Sequence, residues 1–429
     1  MRILIFSALL LILTGLTGCE EKITEMVTYR INEPVFMSKE EFRNSVKVSA
    51  VPQQITAFGK ISFYQGYLFM SETGKGIHII NNQDPRNPHT VGYIALLGNA
   101  DLSVRNNILY ADSYVDLVWF DVSNPAQPEL KGRLKDVFPE ALPLVRNSQG
   151  IDWELSFGEK REEGVIVDWV EVERTEPVRN YRNNWIWGGG WFFRGGGTTS
   201  EVDFDGYKGG GNSINGSMSR FSIYQTYLYA VINNQMAIFD LSKPEPEKAV
   251  ENIYVGWNVE TIFSYKDHLY MGTPTGMLIY SVENPLKPAF RSSIQHVFGC
   301  DPVVVEDDIA YVTIHSGDNC GQDNNELIII DVKDKWRPRQ IVSYAMTRPK
   351  GLGIDNKILF VCDDGLKIFN AANPQTIMAN QLAHYKGIAG FDVIPFNNIL
   401  MMIAENGIYQ YDYTDINNIK QISFLKVGE

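Results

Sequence analysis

The feature that most constrains this chain is that it repeats itself. An apolar run closed by a small polar residue returns about every 40 residues, the spacing of propellers and solenoids, and seven copies can be read. One is Leu327-Ile328-Ile329-Ile330-Asp331; the others end at Asn81, Asp121, Asp240, Ser281, Asn370 and Asp412. A second β-prone run lies upstream of each, as in Tyr67-Leu68-Phe69, Tyr227-Leu228-Tyr229 and Ile358-Leu359-Phe360. Most copies are followed by a proline turn, such as Asp84-Pro85 with Pro88, Asn124-Pro125 with Pro128, and Asn284-Pro285 with Pro288.

Short runs of β-branched and aromatic residues suit strands buried on both faces. The Asp, Asn or Ser after each run can accept a backbone N–H as the chain leaves the sheet. Proline then fixes φ and removes a ladder donor, so the strand stops. One twisted four-stranded sheet cannot bury both of its faces alone, and radial packing of several solves that problem. The expectation is an all-β, seven-bladed β-propeller over 55–428, with blades at 55–97, 98–136, 217–256, 257–297, 298–346, 347–386 and 387–428. A parallel β-helix would need shorter coils and fewer aromatics than the 12% present. Ser38-Lys39-Glu40-Glu41 reads as a capping box opening a short helix through Val46. A strand from 46–54 is a candidate for closing the ring against the last blade.

At these apolar-run-plus-Asp elements the chain resembles the LVIVD-repeat proteins, bacterial surface-associated β-propellers. The resemblance covers Ile55 to Val427 apart from one insertion. It implies the fold and is nearly silent on activity.

The N-terminus reads as an address. Arg2 is followed by an apolar stretch from Ile3 to Leu13, too short for a comfortable span and typical of a signal peptide. Leu16-Thr17-Gly18-Cys19 resembles a bacterial lipobox, which implies signal peptide 1–18, lipidation of the Cys19 thiol and anchoring by acyl chains such as palmitate. Several chains give stable attachment where one is marginal. An ordinary secretory signal with an incidental cysteine is the alternative. Glu20 stands where an aspartate would resemble an inner-membrane retention signal, and Glu20-Glu21 is similar to the surface-export signals of Bacteroidetes lipoproteins. The expected location is therefore the outer membrane, on the surface or periplasmic side. Residues 19–54 are expected to hold a tether, through about residue 33, and the short helix.

Residues 137–216 interrupt the repeat between blades 2 and 3 and carry Trp185, Trp187, Trp191, Phe192 and Phe193 among glycine triplets. So many aromatics fit either a flap offering ring faces to sugars, peptides or cations, or an excursion that buries its own rings against the blades. Val165-Ile166-Val167 and the residues after it read as a strand or hairpin arm within 161–174.

Charged residues stand near the starts of the expected inner strands: Lys60, Asp101, Arg220, Glu260, Asp301, Lys350 and Asp392. They read either as a ring binding a polar ligand or as solvated and paired packing elements of the channel. Cys300 and Cys320 are a disulfide candidate in an oxidising compartment. A Cys2His2 metal site with His296 and His315 is the rival, though zinc-finger spacing is missing. Cys362 reads as a small buried hydrophobe. No catalytic motif, phosphate loop, cofactor signature or metal-ligand series is legible. A formal charge of −13 works against nucleic acid as a partner. The function expected is a lipid-anchored envelope module that binds or scaffolds a protein or glycan, more a binder than an enzyme. The alternative is a polysaccharide hydrolase or lyase using channel carboxylates such as Asp101, Glu260 or Asp301.

Overall fold

The computed structural model describes residues 26–145, 150–151, 164–177, 213–232, 234–256, 259–295, 302–315 and 325–427. Seven antiparallel sheets follow one another along the chain and form a seven-bladed β-propeller. Blade 5 shows the pattern. Its inner strand Val303–Glu306 turns into Ile309–Ile314, which pairs with Glu326–Asp331, the apolar run of the repeat, and then with the outer strand Arg339–Ala345. The inner strands of the other blades are Ile61–Tyr64, Leu102–Arg105, Phe221–Tyr224, Thr261–Tyr265, Leu352–Asp355 and Gly390–Phe396.

The turn chemistry explains why the repeat is spelled as it is. Inner and second strands are joined by two-residue turns such as Asn106-Asn107, with φ of 48° and 63°, and Asp307-Asp308, with φ of 50° and 62°. Positive φ at both positions matches the twist of a type I′ hairpin, which Asn and Asp tolerate. The polar residue that ends each apolar run caps the strand. Asp331 Oδ1 accepts from Lys333 N at 2.9 Å, and Asp121, Asp240, Asn370 and Asp412 accept in the same way from the residue two further on. A bulge then offsets the third and outer strands at the same place in blades 1, 2, 4, 5, 6 and 7. Such bulges twist exposed edges away from further pairing.

Among the described residues ring closure uses no exchanged strand. Blade 7 builds all four of its strands from Gly390 to Lys426, and 47–49, a candidate for closing it, instead pair with the outer strand of blade 1. Side chains make the junction. The buried amides of Asn82 and Gln410 bond reciprocally, at 3.0 Å from Asn82 Nδ2 and 2.6 Å from Gln410 Nε2. Phe63 and Phe396 stack with centroids 5.0 Å apart.

The N-terminal region differs from the expected tether. Met26–Met37 is a strand that pairs antiparallel with Val165–Pro177 along its whole length and parallel with Gly150–Ile151. Its alternation of polar with apolar residues, Tyr29, Ile31 and Glu33 among them, is half-buried strand patterning, which a reading of bulk polarity hides. The helix spans Lys39–Asn44 and stops at Ser45, with Ser38 Oγ accepting from Glu41 N at 3.2 Å. Phe42 is fully buried with Tyr114 and Val165. Arg43 forks onto Asp116, which also holds Arg133, so the helix is fastened to blade 2 by apolar contact and charge together.

Candidate functional site in the central channel

The inner strands begin at one end of the ring, and that geometry decides where the charged candidates go. Lys60, Asp101 and Arg220 immediately precede the inner strands of blades 1, 2 and 3, Glu260 precedes that of blade 4, and Lys350 lies two residues before that of blade 6. Asp392 is within the inner strand of blade 7. Lys60, Asp101 and Asp392 are buried, whereas Arg220, Glu260 and Lys350 are half-buried. Asp301, Cys300, Cys320, Trp185, Trp187, Trp191, Phe192, Phe193 and Cys19 lie outside the described residues.

A segment of the chain itself crosses the channel. Ser213 to Ser219, spanning the end of the insertion and the start of blade 3, run inside the ring, with Ile214 and Asn215 paired antiparallel to Phe63 and Ser62 of blade 1. Ser213, Asn215, Ser217 and Ser219 are buried at alternate positions along this strap, and their polar ends bond to blades 1, 2, 6 and 7. Ser213 Oγ accepts from Val104 N of blade 2 at 2.8 Å. Asn215 accepts from Ser62 Oγ at 2.7 Å and donates to Phe221 O at 3.2 Å. Ser217 Oγ donates to Asp392 Oδ1 of blade 7 at 2.7 Å and accepts from Leu352 N of blade 6 at 2.9 Å. Gly351 is required beside it, because a Cβ there would lie 2.1 Å from Asp392 Oδ1 and 2.5 Å from Phe391 O.

Asp101 is the centre of the network. Its Oδ2 accepts from Lys60 Nζ at 3.0 Å and from Arg220 N, and its Oδ1 accepts from Ser219 Oγ at 2.6 Å and Leu102 N at 2.8 Å. Four donors use the acceptor directions a carboxylate offers. Burial drives the Lys60 pKa down, and Asp101 pulls against that shift. Beneath them Asp112 Oδ1 accepts from Ala100 N, Asp101 N and Asn99 Nδ2 at 2.7, 2.8 and 3.1 Å. Burial still pushes its carboxyl up to about 6. Lys350 Nζ sits 3.6 Å from the centroid of the Phe391 ring, next to Asp392.

A second cluster lies at the same end of blade 1. Glu72 holds His78 Nε2 at 2.7 Å and Lys75 Nζ at 2.6 Å, and Thr56 donates to it. Burial opposes ionisation of Glu72, but these donors outweigh it and bring the carboxyl down to about 2.

The structure thus brings Lys60, Asp101 and Arg220 together and sets Asp392 on the strap. The strap escaped the charge-based search for strand starts. Its signal is Ser213-x-Asn215-x-Ser217-x-Ser219, small polar residues at strand period just before a blade. Cys362 is buried in the second strand of blade 6. Among the described residues no group of three or more His, Cys, Asp or Glu is placed to hold a metal ion.

The fold is a seven-bladed β-propeller whose inner strands are bridged by a segment of its own chain. Residues 98–136, the span of blade 2, match the LVIVD repeat, so the chain carries that repeat within a seven-bladed ring. No curated protein matches the chain. Among solved structures it is similar to the computationally designed Ika8 protein, with a TM-score of 0.48 at 9% identity over 89% of this chain and 90% of that one. Kluyveromyces lactis Hsv2 gives 0.46 at 10% identity, covering 85% and 96%. A functionally unknown protein from Desulfotomaculum acetoxidans DSM 771 gives 0.42 at 8%, covering 75% and 87%.

Proposed function

We propose that this chain is a lipid-anchored cell-envelope β-propeller of the outer membrane that acts as a binding or scaffold module for a protein or glycan. The observation that supports the binding role is the strap bonded across the channel. Asp101 and Asp392 are 2% and 1% exposed and bonded to the strap, so neither offers a substrate the lone pairs that acid–base work requires. This favours recognition at the outer surfaces, where propellers present their loops. The lipobox-like Leu16–Cys19 supports the anchor. Among the described residues no helix is long and apolar enough to cross a membrane.

Two measurements test this. Metabolic labelling with radioactive palmitate is expected to mark the chain and to fail for Cys19→Ala, which should leave the membrane fraction; a variant that still labels and sediments overturns the anchor. In-cell cross-linking followed by pull-down is expected to recover a protein or glycan from the envelope. If nothing is recovered, and the chain instead depolymerises envelope polysaccharide in a manner abolished by Asp101→Asn, the hydrolase or lyase alternative replaces the binding role.

A further inference from the structure

The seven blades act as internal controls, because a position the fold needs should be filled alike in each. One turn position departs. A second Asx turn follows the apolar run in blades 1, 4, 5, 6 and 7; in blade 5 Asp334 Oδ1 accepts from Trp336 N at 3.0 Å and Asp334 O accepts from Arg337 N at 3.1 Å. The equivalent residue is Arg86, Ala126, Glu245, Leu286, Gln375 or Asn417 in the other blades. The turn therefore requires no aromatic ring, yet blade 5 holds Trp336 there with 63% of its surface exposed.

A second departure meets it. The bulge residue of the outer strand is Val91, Ile341, Leu382 or Ile422 in four blades and Lys131 in blade 2. In blade 4 it is Arg291, whose guanidinium lies 5.1 Å from the Trp336 ring centroid. Ser292 Oγ donates to Lys335 O at 2.6 Å, which locks the blade 5 turn onto blade 4. Within three residues of Trp336 along the chain, Lys333, Arg337 and Arg339 are exposed. Lys335 is turned inward onto Asp308 at 2.7 Å. Arg291 pairs with Glu283 at 3.4 Å and Arg339 with Asp331 at 3.8 Å, and Lys333 and Arg337 add exposed cations to this turn in a chain of formal charge −13.

We propose that this rim of blades 4 and 5 is a binding platform for an acidic polysaccharide, Trp336 stacking on a sugar ring and Arg337, Arg339 and Lys333 meeting its carboxylates or sulfates. This names the ligand class of the binding role above and rests on it. A flat ring face suits the C–H face of a pyranose, and the surrounding cations supply complementary charge. An acidic peptide fits less well. It would add as a strand along the outer edge, and the bulge at Ile279/Tyr280 breaks that ladder's regularity.

The test is affinity electrophoresis and calorimetry of the full chain. The probes are polygalacturonate, dextran sulfate, fully methyl-esterified galacturonan as the uncharged counterpart, and poly-glutamate. At least one acidic polysaccharide should bind, and Trp336→Ala should weaken it about tenfold or more, as central aromatic anchors do. Trp336→Phe should retain most of the affinity, and Arg337→Gln with Arg339→Gln should weaken binding and flatten its salt dependence. The platform is overturned if neither acidic polysaccharide binds, if Trp336→Ala binds like the parent, or if the esterified polymer or poly-glutamate binds as tightly. A chain that recovers an envelope partner in the pull-down but ignores both acidic polymers overturns the platform alone. One that does neither overturns the binding role with it.

Discussion

The channel and the blade 4–5 rim treat charge in opposite ways. In the channel Lys60 and Asp101 are both 2% exposed at the side chain and answer each other, with Ser219 and the Arg220 amide completing the shell. At the rim Trp336 and the cations beside it face water, and Arg339 lies 3.8 Å from Asp331 with 81% of its side chain exposed. The contrast teaches that a ring of charges at strand starts is not by itself a site. What matters is whether the chain already supplies the partners, and here the strap supplies them in the channel, whereas among the described residues nothing comparable covers the rim turn.

The comparison is broken most forcefully at Asp101. Asp101→Leu leaves Lys60 buried without its carboxylate and should cost about 3–5 kcal/mol, the usual penalty for orphaning a buried charge. Urea denaturation measures it, and the double change with Lys60→Met should recover a large part. A loss below about 1 kcal/mol would mean that water reaches the pair and the channel is open. Next is the closure. Asn82→Leu strands the Gln410 amide and should cost about 1–3 kcal/mol, whereas Asn82→Leu with Gln410→Leu should cost less than the two singles summed. Additive losses would show the amides to be independent of one another.

The acidic pH range sharpens the picture. The carboxyl of Asp112 is raised to about 6 from 3.8, so between those values the folded chain holds a proton that the unfolded chain has lost. Its contribution therefore falls as pH rises from about 4 to 6. Asp112→Asn keeps an acceptor for the same N–H groups and should remove that slope, gaining on the order of 1–2 kcal/mol at pH 7. Glu72 runs the other way. Its carboxyl, down to about 2 from 4.5, stabilises the fold above pH 4.5 and is lost as pH drops toward 2. Thermal melts from pH 2 to 7 of the parent, Asp112→Asn and Glu72→Gln separate the two slopes, and parallel curves would contradict both assignments. The smallest expected effect is at the rim, where Trp336→Ala should change stability by no more than about 0.5 kcal/mol, as exposed positions usually do. A larger loss would make the ring a structural part of the blade 4–5 junction.

What the sequence determined by itself was the blade. Alternating apolar runs, an Asx cap such as Asp331 and a proline turn are local signals, each acting through residues a few positions away, and seven repetitions leave a ring as the economical way to bury every sheet. The N-terminal strand was harder to read, because Met26–Met37 becomes a strand only through Val165–Pro177, more than a hundred residues later. Only the tertiary structure decided the channel. Asp392 meets Ser217 across 175 residues and Asp101 meets Ser219 across 118, and no local pattern announces such pairings. A charge near a strand start has the same appearance in sequence whether it awaits a ligand or is bonded to its own chain, since its partner is chosen by the closing of the ring.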